Sequence, residues 1–114
     1  MKILITIQNN SVAPRFDLTT EIVIVEYVNQ QLQGGLRTII LPRRNAEDLS
    51  DLIVKEGIDC VICGSIEESF YKFFTWKKIA VIDGVIGSYT EAIELAITDQ
   101  LQPGCILSSA KSMQ

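Results

Sequence analysis

Cysteine is the one soft metal ligand and strong nucleophile with a suggestive spacing in this chain, which holds Cys60, Cys63 and Cys105 but no histidine. Without histidine there is no Ser-His or Cys-His dyad, no imidazole ligand and no imidazole general base. Cys60-Val61-Ile62-Cys63 spells C-x-x-C, a spacing used by redox and zinc sites. Its setting is an apolar, strand-like run, however, where residues three apart face opposite ways and lie ~10 Å apart along the chain. Such a pair closes no disulfide and shares no metal. Cys60 therefore reads as core. Cys63, ending the run beside Gly64, and Cys105, following Pro103-Gly104, are the thiols positioned to reach a crevice.

Two turns carry the other candidate groups. Cys63-Gly64-Ser65 and Asp83-Gly84-Val85-Ile86-Gly87-Ser88 each lead from a strand pattern into a helix pattern. Free N–H groups at a helix start favour anions, although Glu68 and Glu91 in the first turns partly satisfy them. The same glycines and serines are also what any strand-to-helix connection requires. Elsewhere the acids Glu47, Asp48, Asp51, Glu67 and Glu94 fall on helix exteriors and first turns, and the first strand carries no carboxylate. That pattern lacks the clustered acids of a two-metal nuclease, and there is neither a G-x-G-x-x-G nor a P-loop. The expectation is a protein that is not an enzyme.

The elements that must position these groups follow from hydrophobic period. Ile3 to Gln8 is a nearly continuous apolar run, the mark of a strand buried on both faces. Asn9-Asn10-Ser11 and Pro14 make residues 9–20 an irregular loop. Glu21 to Val28 and Leu36 to Leu41 read as a hairpin. Asn45 caps a helix with a Leu49, Leu52 and Ile53 stripe that stops at Gly57. Ile58 to Cys63 is a strand, and Ser65-Ile66-Glu67-Glu68 is a capping box opening a second helix with Ile66, Phe70, Phe73 and Phe74 on one side. Ile79 to Ile82 is the last strand. Ser88-Tyr89-Thr90-Glu91 caps a third helix that buries Ile93, Ala96 and Ile97. The order β-β-β-α-β-α-β-α predicts an α/β fold with one mixed five-stranded sheet and helices packed on it. Right-handed crossovers bring both glycine turns, and the 9–20 loop, to the carboxyl edge of the sheet, where open α/β sheets bind ligands.

At 114 residues the chain is the size of one domain, taken as residues 1–105 with 106–114 as a C-terminal tail. A hydrophobic content of 47% fills a core without a disulfide or metal staple. A net charge of −4 and a pI near 4.7 argue against nucleic acid as a partner; Arg43-Arg44 reads as a solvated loop. No run approaches the ~20 apolar residues of a membrane span, and residues 1–7 do not form a signal peptide. An odd number of cysteines suits a reducing compartment, so the expected location is cytoplasmic.

Several segments, taken in order, resemble one family. Val12-Ala13-Pro14-Arg15-Phe16-Asp17 is similar to the V-S-P-x-F-D/G stretch of the dinitrogenase iron–molybdenum cofactor biosynthesis family (NifX/NafY-type proteins). Glu56-Gly57-Ile58-Asp59-Cys60-Val61-Ile62-Cys63-Gly64-Ser65-Ile66 is similar to its E-x-G-V-D-V-V-I-x-G-x-I. The strand at 79–82, the Gly87 turn, the helix at 91–96 and the closing Pro-Gly-Cys also fit. The resemblance implies a ribonuclease-H-like three-layer sandwich without nuclease activity. It further implies a non-catalytic domain that binds or carries an iron–sulfur or iron–molybdenum-type cluster, or its precursor, during cofactor assembly. Carried over by position, Arg15, Phe16, Cys63, Gly64, Ser65 and Gly87 would form the binding site. Where many relatives have a histidine before the phenylalanine and Gly-Arg after it, this chain has Arg15 and Asp17-Leu18. Cys63 or Cys105 would then supply the metal ligand as thiolate. Two other functions fit the same residues. One is a regulatory module holding a small anionic ligand. The other is a homodimeric interaction domain using an aromatic patch at Tyr71, Phe74 and Trp76.

Overall fold

The computed structural model describes residues 1–111. Seven strands and four α-helices follow one another as β1 (Lys2–Gln8), β2 (Ser11–Val12), β3 (Glu21–Val28), β4 (Gln31–Leu32), β5 (Arg37–Ile40), α1 (Ala46–Lys55), β6 (Cys60–Ile62), α2 (Glu68–Trp76), β7 (Ala80–Ile82), α3 (Tyr89–Ile97) and α4 (Ser108–Lys111). The fold is mixed α/β. The five expected strands are present, with β2 and β4 added as two-residue extensions that pair with β1 and β3. β1 lies between β3, to which it is antiparallel, and β6, to which it is parallel. β7 continues the parallel side beyond β6, and β5 pairs antiparallel with the outer edge of β3.

Strand alternation divides the interior in two. Ile3, Ile5 and Ile7 of β1 join Val23, Val25, Cys60 and Ile62 in one cluster, covered by Ala92, Ile93, Ala96 and Ile97 of α3. Leu4 joins Ile22, Ile24, Val61 and Cys63 in the other, covered by Leu49 and Ile53 of α1 and Phe74 of α2. The nearly continuous apolar run of β1 is thus explained by burial on both faces. Each fully buried Ile or Leu contributes about 1.5–3 kcal/mol through removal from water. Phe74 is wholly buried, so the aromatic patch expected on α2 reduces to Tyr71 and Trp76 on the surface, with Trp76 lying near Phe73 and Lys77.

Asn45 caps α1 as expected, its side chain accepting from the N–H groups of Glu47 and Asp48. The capping box expected at Ser65-Ile66-Glu67-Glu68 is not formed, whereas Ser88 caps α3 by accepting from Glu91 N–H. α2 starts at Glu68 without a side-chain cap, because Ser65 is held extended against the 13–16 loop and its hydroxyl donates to the Pro14 carbonyl. The 9–20 loop is more ordered than its composition suggests, containing β2 and a 3₁₀ turn at Phe16–Leu18.

The stretch after Pro103-Gly104, expected to be a tail, packs on the body through residue 110. Leu107 is buried in the α3-side cluster, Ile106 bridges Ile86, and α4 follows. Burial of Leu107 drives this docking. Residues 112–114, the end of that expected tail, lie outside the described residues.

Candidate functional site

Because β1, β6 and β7 are parallel, the segments that follow them leave the sheet at the same edge. Three local pairings knit these segments together: Ser11 with Ser88, Arg15 with Ser65, and Ile86 with Ile106. Between them lies a cleft of about 850 Å³, within the range of small-molecule sites. Gln8, Asn9, Ser11, Val12 and Pro14 form one side, Gly64, Ser65 and Ile66 a second, and Asp83 through Gly87 a third. Ile106 and Ala110, from the docked C-terminal strap, complete the wall.

Three of the expected site residues line this cleft: Gly64, Ser65 and Gly87. At Gly64 a Cβ would stand 2.5 Å from the carbonyl oxygens of both Ala13 and Pro14. Only glycine lets the two loops form the bonds Gly64 N–H to Ala13 O and Ser65 N–H to Pro14 O, at 3.1 and 2.8 Å. Gly87 has φ +138°, and a Cβ there would lie 2.6 Å from Cβ of Leu107. Its small size makes room for the strap.

The other four lie elsewhere. Phe16 is buried in the α1/α2-side core, its ring 5.6 Å from Phe70 and 5.8 Å from Phe74. Its backbone N–H reaches the Ser65 carbonyl, but its side chain is an anchor for the loop. Arg15 points its guanidinium at Asp17, with bonds of 3.0 Å from Nε and 2.6 Å from Nη2. Cys63 is completely buried in the same core as Phe16, and burial, with lesser effects of Asp83 and Cys60, pushes its thiol up to about 12. Cys105 is half-buried against the opposite, α3-side cluster. The two thiols thus belong to different cores and neither lines the cleft. Cys60 faces the α3 side and is pushed up to about 11, again chiefly by burial. All three cysteines are free thiols.

The N–H groups of the turns are also largely committed. Those of Gly84, Val85 and Ile86 donate to Gly64, Cys63 and Cys105 carbonyls, and that of Ser88 donates to the Ser109 hydroxyl. The anion cradle expected at this edge is therefore mostly spent on holding the loops. Asp83 is the only ionisable side chain lining the cleft among the described residues. Its carboxylate has no hydrogen bond or ion pair among them. Asp83 and the Ile86–Ile106 lip are site features that the sequence placed only as part of a turn and a tail. The apolar run Cys105-Ile106-Leu107 after Pro103-Gly104 is the signal that could have found the lip.

A model of the dinitrogenase iron–molybdenum cofactor family matches residues 1–99. The chain belongs to that family. Among solved structures, this family member is similar to the crystal structure of PH0822, with 21% identity, a TM-score of 0.81, and coverage of 90% of this chain and 94% of that one. It is also similar to a dinitrogenase candidate from Methanocaldococcus jannaschii, with 26% identity, a TM-score of 0.72 and 96% of both chains covered. A NifB candidate from Thermotoga shares the fold at 14% identity, with a TM-score of 0.69 over 93% of this chain and 96% of that one. No curated protein matches the chain significantly.

Proposed function

We propose that this family member is a non-catalytic binding domain that holds a small molecule in the cleft at the carboxyl edge of its sheet. The observation that carries this reading is the cleft itself, a mostly apolar space of about 850 Å³ with a few convergent polar groups. The lack of histidine, the burial of Cys63 and the single ionisable side chain in the described lining support holding without catalysis. A ribonuclease-H-like reading of the fold is supported by the path β5-β3-β1-β6-β7, in which β3 alone runs against its neighbours.

Family membership favours a second occupant, an iron–sulfur or iron–molybdenum-type cluster carried as cargo. The side chains present do not fit its direct ligation. Such clusters take thiolate or imidazole donors, yet Cys63 and Cys105 sit in separate cores and histidine is absent. No group of three or more His, Cys, Asp or Glu able to hold a metal ion occurs among the described residues. Apolar contact and hydrogen bonds to a small molecule are what this geometry supports best.

Anaerobic reconstitution with iron, sulfide and molybdate, run beside a thermal-shift screen of small metabolites, separates the two. The expected result is no visible chromophore dependent on Cys63 or Cys105, and a compound that raises Tm with its concentration. That response should vanish in Ile86→Trp, which fills the cleft mouth at an exposed position. A chromophore lost in the Cys63→Ser, Cys105→Ser double variant establishes the cluster reading instead. A screen without any shift overturns the small-molecule reading.

A further inference from the structure

We infer that the cleft is selective for an organic cation, an amine or amidine carried on an apolar body, and discriminates against anions. This rests on the reading that the cleft holds a small molecule and names the charge of that molecule. Three independent features point the same way.

The first is the unpaired carboxylate. Asp83 lines the cleft, and its carboxylate has no hydrogen-bond or ion-pair partner among the described residues, in a chain whose net charge is −4. Arg15, which adjoins Pro14 of the lining, does not compensate it, because its guanidinium is held by both oxygens of Asp17. A cation beside Asp83 is attracted, and an anion is repelled with similar strength.

The second is the commitment of the donors. The backbone N–H groups that favour an anion at such an edge are spent at Gly64, Ser65, Gly84, Val85, Ile86 and Ser88, which already donate within the chain. The lining side-chain amides of Gln8 and Asn9 can donate or accept and favour neither charge. The Ser65 hydroxyl proton likewise goes to the Pro14 carbonyl, leaving its oxygen as an acceptor. At the start of α3 the Ser88 side chain accepts from Glu91 N–H, so that donor is taken as well.

The third is the apolar lip. Ile86 and Ile106 are 55% and 47% exposed although they pair with each other across the mouth. Together with Val12, Pro14 and Ile66 they offer a surface for a ring or alkyl body beside the carboxylate. Burial of that body contributes roughly 25 cal/mol per Å² of apolar area, while Asp83 sets the sign of the preferred charge.

Three probes of one shape and different charge test this: benzamidine, benzamide and benzoate, titrated into the ¹⁵N-labelled full chain and followed by amide chemical shifts. Benzamidine should shift the amides of Gly84, Ile86 and Ile106 saturably, and benzoate should bind about tenfold more weakly. Asp83→Asn should lower benzamidine affinity by about fivefold and leave benzamide unchanged. A native-like amide spectrum of that variant shows that the fold is retained. Benzoate binding as tightly as benzamidine, or a charge preference that survives Asp83→Asn, overturns the inference. If benzoate or benzamide binds at these amides and benzamidine does not, the cleft remains a ligand site and only the cation inference falls. If no probe moves these amides, both fall.

Discussion

Gly64 is the residue on which two loops depend. Its missing side chain lets the Ala13 and Pro14 carbonyls approach to distances that no Cβ tolerates. A methyl group there meets backbone rather than a movable side-chain end, so the loops must part and surrender the bonds at Gly64 and Ser65. Gly64→Ala should therefore destabilise the fold by about 3 kcal/mol, seen as a lower urea midpoint with an unchanged slope. Gly35→Ala is the matched control, since nothing stands within 4 Å of its Cβ position, and should change stability by less than about 0.5 kcal/mol. Equal effects of the two would refute this account of Gly64. The neighbouring Phe16 serves the same end differently, pinning its loop with an aromatic ring that is sequestered among Phe70 and Phe74.

At the scale of elements, the C-terminal strap is tied down by one carboxylate. Glu91, in the first turn of α3, accepts from the Ser108 hydroxyl at 2.6 Å and from the N–H groups of Ser108 and Ser109 at 3.0 Å each. These bonds favour the charged form, and the Ser108 hydroxyl leads in holding the Glu91 carboxyl below its ordinary value of 4.5. A depressed carboxyl contributes stability that is present above that ordinary value and is lost as pH falls through the folded-state value. Acidification below 4.5 should thus shift the amide signals of Ser108 and Ser109 before those of β1 and β6. In Glu91→Gln those two signals should already sit away from their wild-type positions at pH 7 and lose most of their acid titration. Unchanged wild-type positions and titration in that variant would sink the tie. Since Ile106 and Ala110 wall the cleft, loosening the strap also opens the site.

For the molecule as a whole, the sequence was most legible where period and burial coincide. The five principal strands, α1 and α3, and the opposite facing of Cys60 and Cys63 all followed from alternation and apolar stripes. Ends and loops were less legible because their partners are remote in sequence. Ser65 looks like a cap until the Pro14 carbonyl competes for it, and residues 105–111 look like a tail until Gly87 leaves space for Leu107. The candidate site was legible as an edge of the sheet and as three glycine and serine positions. Its charge was not, because which donors are spent depends on contacts between loops. The opposite facing of Cys60 and Cys63 also gives the chain a built-in pair of clocks. An alkylating reagent reaches half-buried Cys105 in the native state, but meets Cys60 and Cys63 only when the sheet opens. In a Cys105→Ser background, mass spectrometry should find both labelled slowly and at one shared opening rate. Unequal rates would mean that one face can part from the sheet while the other stays shut.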